Sequence, residues 1–169
     1  MFYTIVKSFS RADGDSWASY CNWRGIDFER FDSIDGLLRP SVFEPVTKED
    51  WSHVILEDYK CHYITDSDYA CRKHQEIGLH SILLGVSFDE HEEDNPGFFG
   101  YDLIDGYLDM SLLTNWGNTC EIINQDLSLC GLILSYEVVY EIKKYLTKFH
   151  GEDSHVADCS IVSIYSVVH

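Results

Sequence analysis

The chain has 169 residues, of which 45% are hydrophobic and 14% are aromatic. This length and composition fit one folded domain and exclude a disordered chain. Asp and Glu number 29 against 12 Lys and Arg, which gives a formal net charge of -17. Direct binding to nucleic acid or to an anionic membrane is therefore disfavoured, because both depend on Lys and Arg. A basic protein is the partner that such a charge favours.

The sequence carries no pattern typical of export or membrane insertion. Only a short apolar run precedes Lys7, and no later segment reaches the roughly 18 apolar residues of a membrane span. We therefore expect a cytoplasmic protein. The six cysteines are expected to be reduced and mostly buried, because a chain of this length folds without disulfides. No internal repeat is visible in the sequence.

The first half of the chain is predicted to contain short elements separated by polar loops. Apolar patterning and a glycine stop predict a strand over 2–6, a helix over 15–24 and an extended segment over 26–31. Thr47, followed three residues later by Asp50, is a weaker form of the capping box. It predicts a helix from 47 to about 58.

The middle of the chain is predicted to be rich in strands. Apolar residues at every second position, Ile82, Leu84, Val86 and Phe88, predict a strand over 80–88. An acidic loop over 89–97 follows it. Two further apolar runs, 98–104 and 108–114, are separated by a turn signal and are predicted to form a hairpin or neighbouring strands.

The last third is predicted to hold the longest helix, over 135–150. Ser135 stands at its cap, one face is apolar, and Gly151 ends it. A strand over 156–168 follows. Helices alternate irregularly with neighbouring strands, so we expect a single α+β domain over 1–169, with a mixed or antiparallel sheet packed against helices.

Four residues of zinc-binding type lie close together in the sequence: Cys61, His62, Cys71 and His74. Their spacing does not match the usual pairs of zinc ligands, and ordinary core cysteines explain the same pattern. We therefore predict that the protein binds no metal and no other cofactor.

Two other groups carry residue types suited to catalysis. His155, Asp158 and Cys159 include a base, an acid and a thiol. In an extended strand, however, the first and last of them would lie about 13 Å apart. The three acidic residues Asp102, Asp105 and Asp109 are suited to acid/base work but also to turns. An enzyme of hydrolase type, with its site assembled in the fold, stays open as the alternative function.

The densest acidic run lies in the loop over 89–97. Its carboxylates are Asp89, Glu90, Glu92, Glu93 and Asp94. Most charge runs are solvated loops, but the large excess of acid favours a binding role here. We predict that these residues, together with Asp66 and Asp68, bind a basic protein partner.

The second half of the chain resembles small bacterial immunity proteins of polymorphic and contact-dependent growth-inhibition toxin systems. The similar segments are GYDLIDG (100–106), SLLTNWGN (111–118), CGLILSYEVVYEIKKYL (130–146) and HVADCSIVSIYSV (155–167). The resemblance implies a cytosolic antidote that binds a toxin domain, often a nuclease with a basic cleft. It supplies no motif from which interface residues follow.

Three functional hypotheses therefore emerge from the sequence. The first is an immunity protein that has no chemistry of its own and occludes the active site of a basic toxin, which the resemblance implies to be a nuclease. The second is the small cytosolic hydrolase. The third is a subunit of a larger complex, which would expose an extensive apolar patch instead of an acidic one.

Overall fold

The sheet of this protein is antiparallel and is packed against helices, so the predicted α+β fold is confirmed. The computed structural model describes residues 1–7, 41–55, 62–78, 81–88, 93–94, 96–106, 111–115 and 132–167. Its strands are β1 (Phe2–Lys7), β2 (Ser81–Phe88), β3 (Phe98–Ile104) and β4 (Ser160–Ser166). Its helices are α1 (Lys48–Ser52), α2 (Ser67–Ile77), α3 (Leu112–Asn115), α4 (Tyr136–His150) and α5 (Ser154–Ala157).

The strand order is β1-β2-β4-β3, and every neighbouring pair is antiparallel. The two central strands come from different halves of the chain and pair from Leu84 with Ser166 to Phe88 with Val162. Near the start of β3 the register shifts between Phe98 and Gly100. Gly100 has φ +147, and a Cβ there would come within 2.8 Å of Leu132, so only glycine suits this irregular position.

Both long helices pack on the same face of the sheet. Side chains alternate between faces along a strand. One core cluster joins α2 to Ile5 and Leu83 of the β1–β2 pair. A second cluster joins α4 and α5 to Leu103 and Ile161 of the β3–β4 pair, which the register places on that same face. The opposite face is also buried, as Leu84 and Val162 have no exposed surface.

The two halves of the sheet repeat one arrangement. In each half an edge strand is followed by a bridge, a short helix, a second bridge and a long helix that returns the chain to a central strand. The bridges are Val6–Ser41 and Tyr3–Ile64 beside β1, and Ile104–Ser111 and Tyr101–Ile133 beside β3. A pseudo-two-fold axis between the paired Val86 and Ile164 relates the halves.

Several predicted boundaries differ from the structure. The helix predicted over 47–58 ends at Ser52, because Val54 forms a bridge with Ile64. The strand predicted over 108–114 is a bridge at Ser111 followed by α3. The strand predicted over 156–168 is α5 followed by β4. The strand over 80–88 is confirmed, but both of its faces are buried.

One element was not predicted at all. α2 begins after Asp66, whose side chain accepts a hydrogen bond from the amide of Tyr69, and it ends at Gly78. The predicted segments 15–24 and 26–31 lie outside the described residues. In the described part of the chain, no helix has the length and apolar character needed to cross a membrane.

Candidate functional site

The predicted acidic residues that the structure describes are all exposed. They are Asp66, Asp68, Glu93 and Asp94. The other three, Asp89, Glu90 and Glu92, lie outside the described residues. Exposure leaves the four described carboxylates available to a partner.

Two of these carboxylates also hold the beginnings of helices. Asp66 is the N-cap of α2. Glu93 accepts a hydrogen bond of 2.7 Å from the amide of Tyr136, the first residue of α4. Ser135, the predicted cap, makes no such bond, and its hydroxyl donates to Glu137 at 2.9 Å. A carboxylate at a helix N-terminus satisfies an unpaired amide and interacts favourably with the helix dipole.

The four described carboxylates fall at two separate places. Asp66 lies beside the β1 edge, two residues after Ile64, whereas Glu93 lies beside the β3 edge, at the helix that follows Ile133. Five strand spacings of about 4.8 Å separate these edge segments, which is roughly 24 Å. The four described members of the predicted set therefore lie at two places on the molecule.

A buried carboxylate lies beside the Asp66 group. Asp50 of α1 is only 4% exposed. Its Oδ2 accepts hydrogen bonds from the amides of Val46 at 3.0 Å and Thr47 at 2.7 Å, and the Thr47 hydroxyl accepts from the Asp50 amide at 3.1 Å. The capping box predicted from the sequence is thus present. This box closes the first turn of α1 and orients the Asp50 side chain towards α2.

Asp50 joins α1 to α2. Its Oδ1 accepts from the Tyr69 hydroxyl and lies 3.2 Å from Nζ of Lys73. The hydrogen bond from Tyr69, followed by that from Thr47, holds the pKa of Asp50 far below its ordinary value. Burial and the neighbouring Asp50 raise the pKa of Tyr69 to about 12. The His53 ring also stacks on Tyr69, with 4.1 Å between centroids. These contacts fix the segment from 46 to 55 against α2.

The same segment exposes three large apolar side chains. Val46 is 82% exposed, Trp51 40% and Ile55 46%. One edge of the Trp51 ring contacts His62, with 6.2 Å between centroids, and burial lowers the pKa of His62, so this neighbour is neutral at pH 7. We call the three apolar residues Val46, Trp51 and Ile55, together with the exposed Glu44, the α1 surface.

Exposed aromatic residues also lie on α4, but each has a lysine over one face of its ring. Nζ of Lys144 is 5.5 Å from the ring centre of Tyr140, and Nζ of Lys148 is 5.1 Å from that of Phe149. A cation over an aromatic face satisfies that face electrostatically. The α4 rings are therefore less suited to a cationic partner than Trp51.

A second polar cluster lies at the end of β3. Nδ1 of His155 donates a hydrogen bond to Oδ2 of Asp105 across 2.6 Å. Asp105 is fully buried, whereas the His155 side chain is 40% exposed. In the neutral imidazole, a carboxylate that accepts from Nδ1 selects the tautomer in which Nε2 carries the lone pair. The pair therefore has the chemical parts of a general base.

Glycine allows β3 and α5 to approach each other closely at this cluster. The amide of Gly106 donates to the carbonyl of His155 at 2.9 Å, and a Cβ on Gly106 would lie 3.0 Å from the carbonyl oxygen of Ser154. α5 has no counterpart in the other half, because only three residues separate Ile77 from Ser81. The Asp105–His155 pair is therefore not a requirement of the repeated fold.

Among the described residues, the other side chains considered for catalysis do not assemble around His155. The distance argument for His155 and Cys159 assumed a strand and was wrong, because His155 lies in α5. Cys159 is nevertheless only 3% exposed and belongs to the core, and Asp158 is exposed. A buried thiol in an apolar cluster is a poor nucleophile.

The acidic trio is likewise divided. Asp102 is buried on the sheet face opposite the helices, whereas Asp105 contacts α5. Oδ1 of Asp102 accepts from the Ser111 hydroxyl at 2.6 Å and from the Leu103 amide at 2.8 Å. Burial raises the pKa of Asp102 to about 7 despite these bonds. Asp109 lies outside the described residues.

The residues considered for zinc do not form a metal site where the structure describes them. Among the described residues, no three His, Cys, Asp or Glu side chains are grouped so as to hold a metal ion. His74 lies 3.1 Å from the carbonyl oxygen of Ser81, and burial raises the pKa of the Cys71 thiol. Cys61 lies outside the described residues.

Sequence reasoning missed two features of these clusters. It considered Asp105 and His155 separately, because 50 positions separate them. It also passed over Trp51, although an aromatic residue directly after two acidic residues in a capped turn was a readable signal.

Comparison of the chain with protein-family models, with curated proteins and with solved structures found no match.

Proposed function

We propose that this protein is a cytoplasmic immunity protein, which binds a basic toxin domain and occludes its active site. The observation that carries the proposal is the net charge of -17 on a folded α+β body. Of the described side chains, eleven acidic ones are exposed against four basic ones. The acidic ones are Glu44, Glu49, Asp66, Asp68, Glu76, Glu93, Asp94, Glu137, Glu141, Glu152 and Asp158.

A carboxylate surface has two effects on a basic partner. Long-range attraction accelerates the encounter of the two proteins. The carboxylates also complement the positive charge of the cleft in which a nuclease holds phosphates. The resemblance of the second half to immunity proteins of toxin systems points to the same class of partner. The toxin is expected to be a nuclease, and no catalytic chemistry of this chain is required.

The test begins with the genes that flank the gene for this chain, where the proposal expects one that encodes a basic toxin domain. The purified pair is expected to form a complex whose association rate falls steeply between 50 and 500 mM salt, because exposed charges are screened over about 10 Å at 0.1 M salt. Co-expression is expected to restore the growth of cells that make the toxin. If the two proteins form no complex and growth stays inhibited, the proposed function is wrong.

A second candidate function is hydrolysis, and the Asp105–His155 hydrogen bond is the observation that favours it. In this case His155 would activate water against a small ester or amide. The expected result is turnover of p-nitrophenyl acetate well above that of an equal concentration of imidazole, lost in both Asp105→Asn and His155→Gln. Turnover no faster than imidazole would remove this candidate.

A further inference from the structure

We propose that the α1 surface is the docking site for the basic partner, with Trp51 as the apolar anchor and the nearby carboxylates as its charged rim. The inference rests on the proposed function and adds to it the place on the molecule where binding occurs. The sequence prediction placed binding at the acidic loop of 89–94 and at Asp66 and Asp68, and of the described members Asp66 and Asp68 lie near α1.

The first argument is the exposure of apolar side chains within one short segment. Val46, Trp51 and Ile55 are 82%, 40% and 46% exposed and fall within ten residues. Trp51 ends one hydrogen-bonded turn with Val54, and Asp50 ties the backbone of Val46 and Thr47 to the first turn of α1, so the chain is folded compactly over this segment. Single exposed apolar residues are common on any surface, but a group containing Trp is typical of binding sites.

The second argument is that the surface is already held in place before binding. Asp50 anchors the backbone of 46 and 47 and reaches Tyr69 and Lys73 of α2. After α1, the Ile55 amide donates to the Tyr63 carbonyl at 3.1 Å. A rigid anchor loses little conformational entropy when a partner binds. The buried contacts hold the backbone in place and therefore favour tight binding by the exposed side chains.

The third argument is charge. Glu44 flanks the apolar group in sequence, and Asp66 and Asp68 lie at the adjacent start of α2, where the Thr65 amide donates to the His53 carbonyl at 2.9 Å. Lys48 is also exposed here, and Glu49 is paired with the exposed Arg72. The acidic rim therefore rests on Glu44, Asp66 and Asp68, which complement a partner that presents an apolar side chain among Lys and Arg. The lysines over Tyr140 and Phe149 make the α4 rings a poorer match for the same partner.

The experiment measures binding of the purified toxin by the full-length chain and its variants. Trp51→Ala is expected to weaken affinity about 30-fold through faster dissociation, as removal of a central anchor does. Val46→Lys, at a side chain with few contacts to lose on folding, is expected to weaken affinity at least about tenfold. Glu44→Lys is expected to slow association and to reduce its dependence on salt.

Phe149→Ala is the matched control, because this ring is exposed but lies on α4 beside a lysine. Its affinity is expected to stay within about twofold of the original, since it lies outside the proposed interface. If the original chain binds the toxin and both Trp51→Ala and Val46→Lys bind equally well, the α1 surface is not the docking site and the proposed function stands. If the original chain binds no toxin, the proposed function fails and this inference fails with it.

Discussion

Asp102 illustrates how burial makes a single carboxyl group sensitive to pH. Its folded pKa of about 7 lies above the value of about 3.9 that an Asp has in an unfolded chain. A raised folded pKa means that the contribution to stability is complete below about pH 4 and is lost as the pH rises to about 7. At higher pH the fold has to hold a buried charge.

We therefore predict that Asp102→Asn removes a pH-dependent cost. Relative to this variant, the original protein should lose up to about 4 kcal/mol of unfolding free energy between pH 4 and pH 8. Urea unfolding of both proteins at pH 4.5, 6 and 8 measures the difference. A difference that does not change with pH would show that Asp102 titrates as it does in the unfolded chain.

The pKa of Asp50 is lowered, so its contribution to stability is lost as the pH falls, which is opposite to Asp102. The contacts of Asp50 give a second prediction. Asp50→Asn should destabilise the protein by about 2 kcal/mol, because the charged acceptor of the Tyr69 hydroxyl and of the Val46 and Thr47 amides is lost, whereas Lys73 keeps its pair with Glu76. Glu49→Gln is the control, because the Arg72–Glu49 pair is exposed and contributes little. Thermal unfolding at pH 7 compares the two, and equal melting temperatures would contradict the structural role of Asp50.

The sequence predicted polar contacts between residues close in sequence and missed those between residues far apart in sequence. The box formed by Thr47 and Asp50 was readable because its partners are three positions apart. The contact of Asp50 with Tyr69 was not, because 19 positions separate them. Hydrogen bonds within a turn follow from residue order, whereas contacts between elements follow only from the packed fold.

The same division holds for whole elements. The strands over 2–6 and 80–88 and the long helix were predicted from their periodicity, and all three are confirmed. The helix predicted over 47–58 was too long, because pairing of Val54 with Ile64 overrides its helical tendency. α2 was missed although Asp66 and Gly78 mark its ends, since its apolar pattern is weak. Long-range pairing decided where the weaker elements begin and end.

α4 depends on a cap that lies far away in the sequence, which leads to a prediction. Glu93→Ala should lower the unfolding free energy by about 0.5 to 1 kcal/mol, because the Tyr136 amide loses its acceptor. Asp94→Ala, at the next exposed carboxylate, should change stability little. Chemical denaturation measures both variants. If they are equally stable, Glu93 does not act as a cap of α4.

The distribution of charge over the molecule follows from the separation of the two helix starts. The acidic groups at the β1 and β3 edges lie roughly 24 Å apart, so a small toxin domain need not contact both. Only the group beside β1 has exposed Trp51 next to it. The other group supports α4 and adds to the long-range field that speeds encounter. The net charge follows from composition. Which carboxylates attract a partner and which cap a helix could be seen only in the fold.

The pseudo-two-fold arrangement makes the whole molecule depend on pairing between its halves. β2 and β4 meet at the sheet centre, and each would be an unpaired edge if its half were alone. We predict that a chain opened between residues 90 and 91 yields two fragments that remain unfolded separately and fold when mixed. Because assembly is bimolecular, the melting temperature of the mixture should rise with concentration.

Val86 supplies the control for this experiment, because it is buried and pairs with Ile164 on the axis. Val86→Asp places a charge at the junction and should abolish assembly of the fragments, since an unpaired buried charge is strongly unfavourable. Circular dichroism and co-purification measure folding and association. If fragment 91–169 folds alone with the stability of the intact chain, the second half is an autonomous domain. In that case β2 only pairs with the edge of an already folded half, and the two halves share a topology but do not depend on each other to fold.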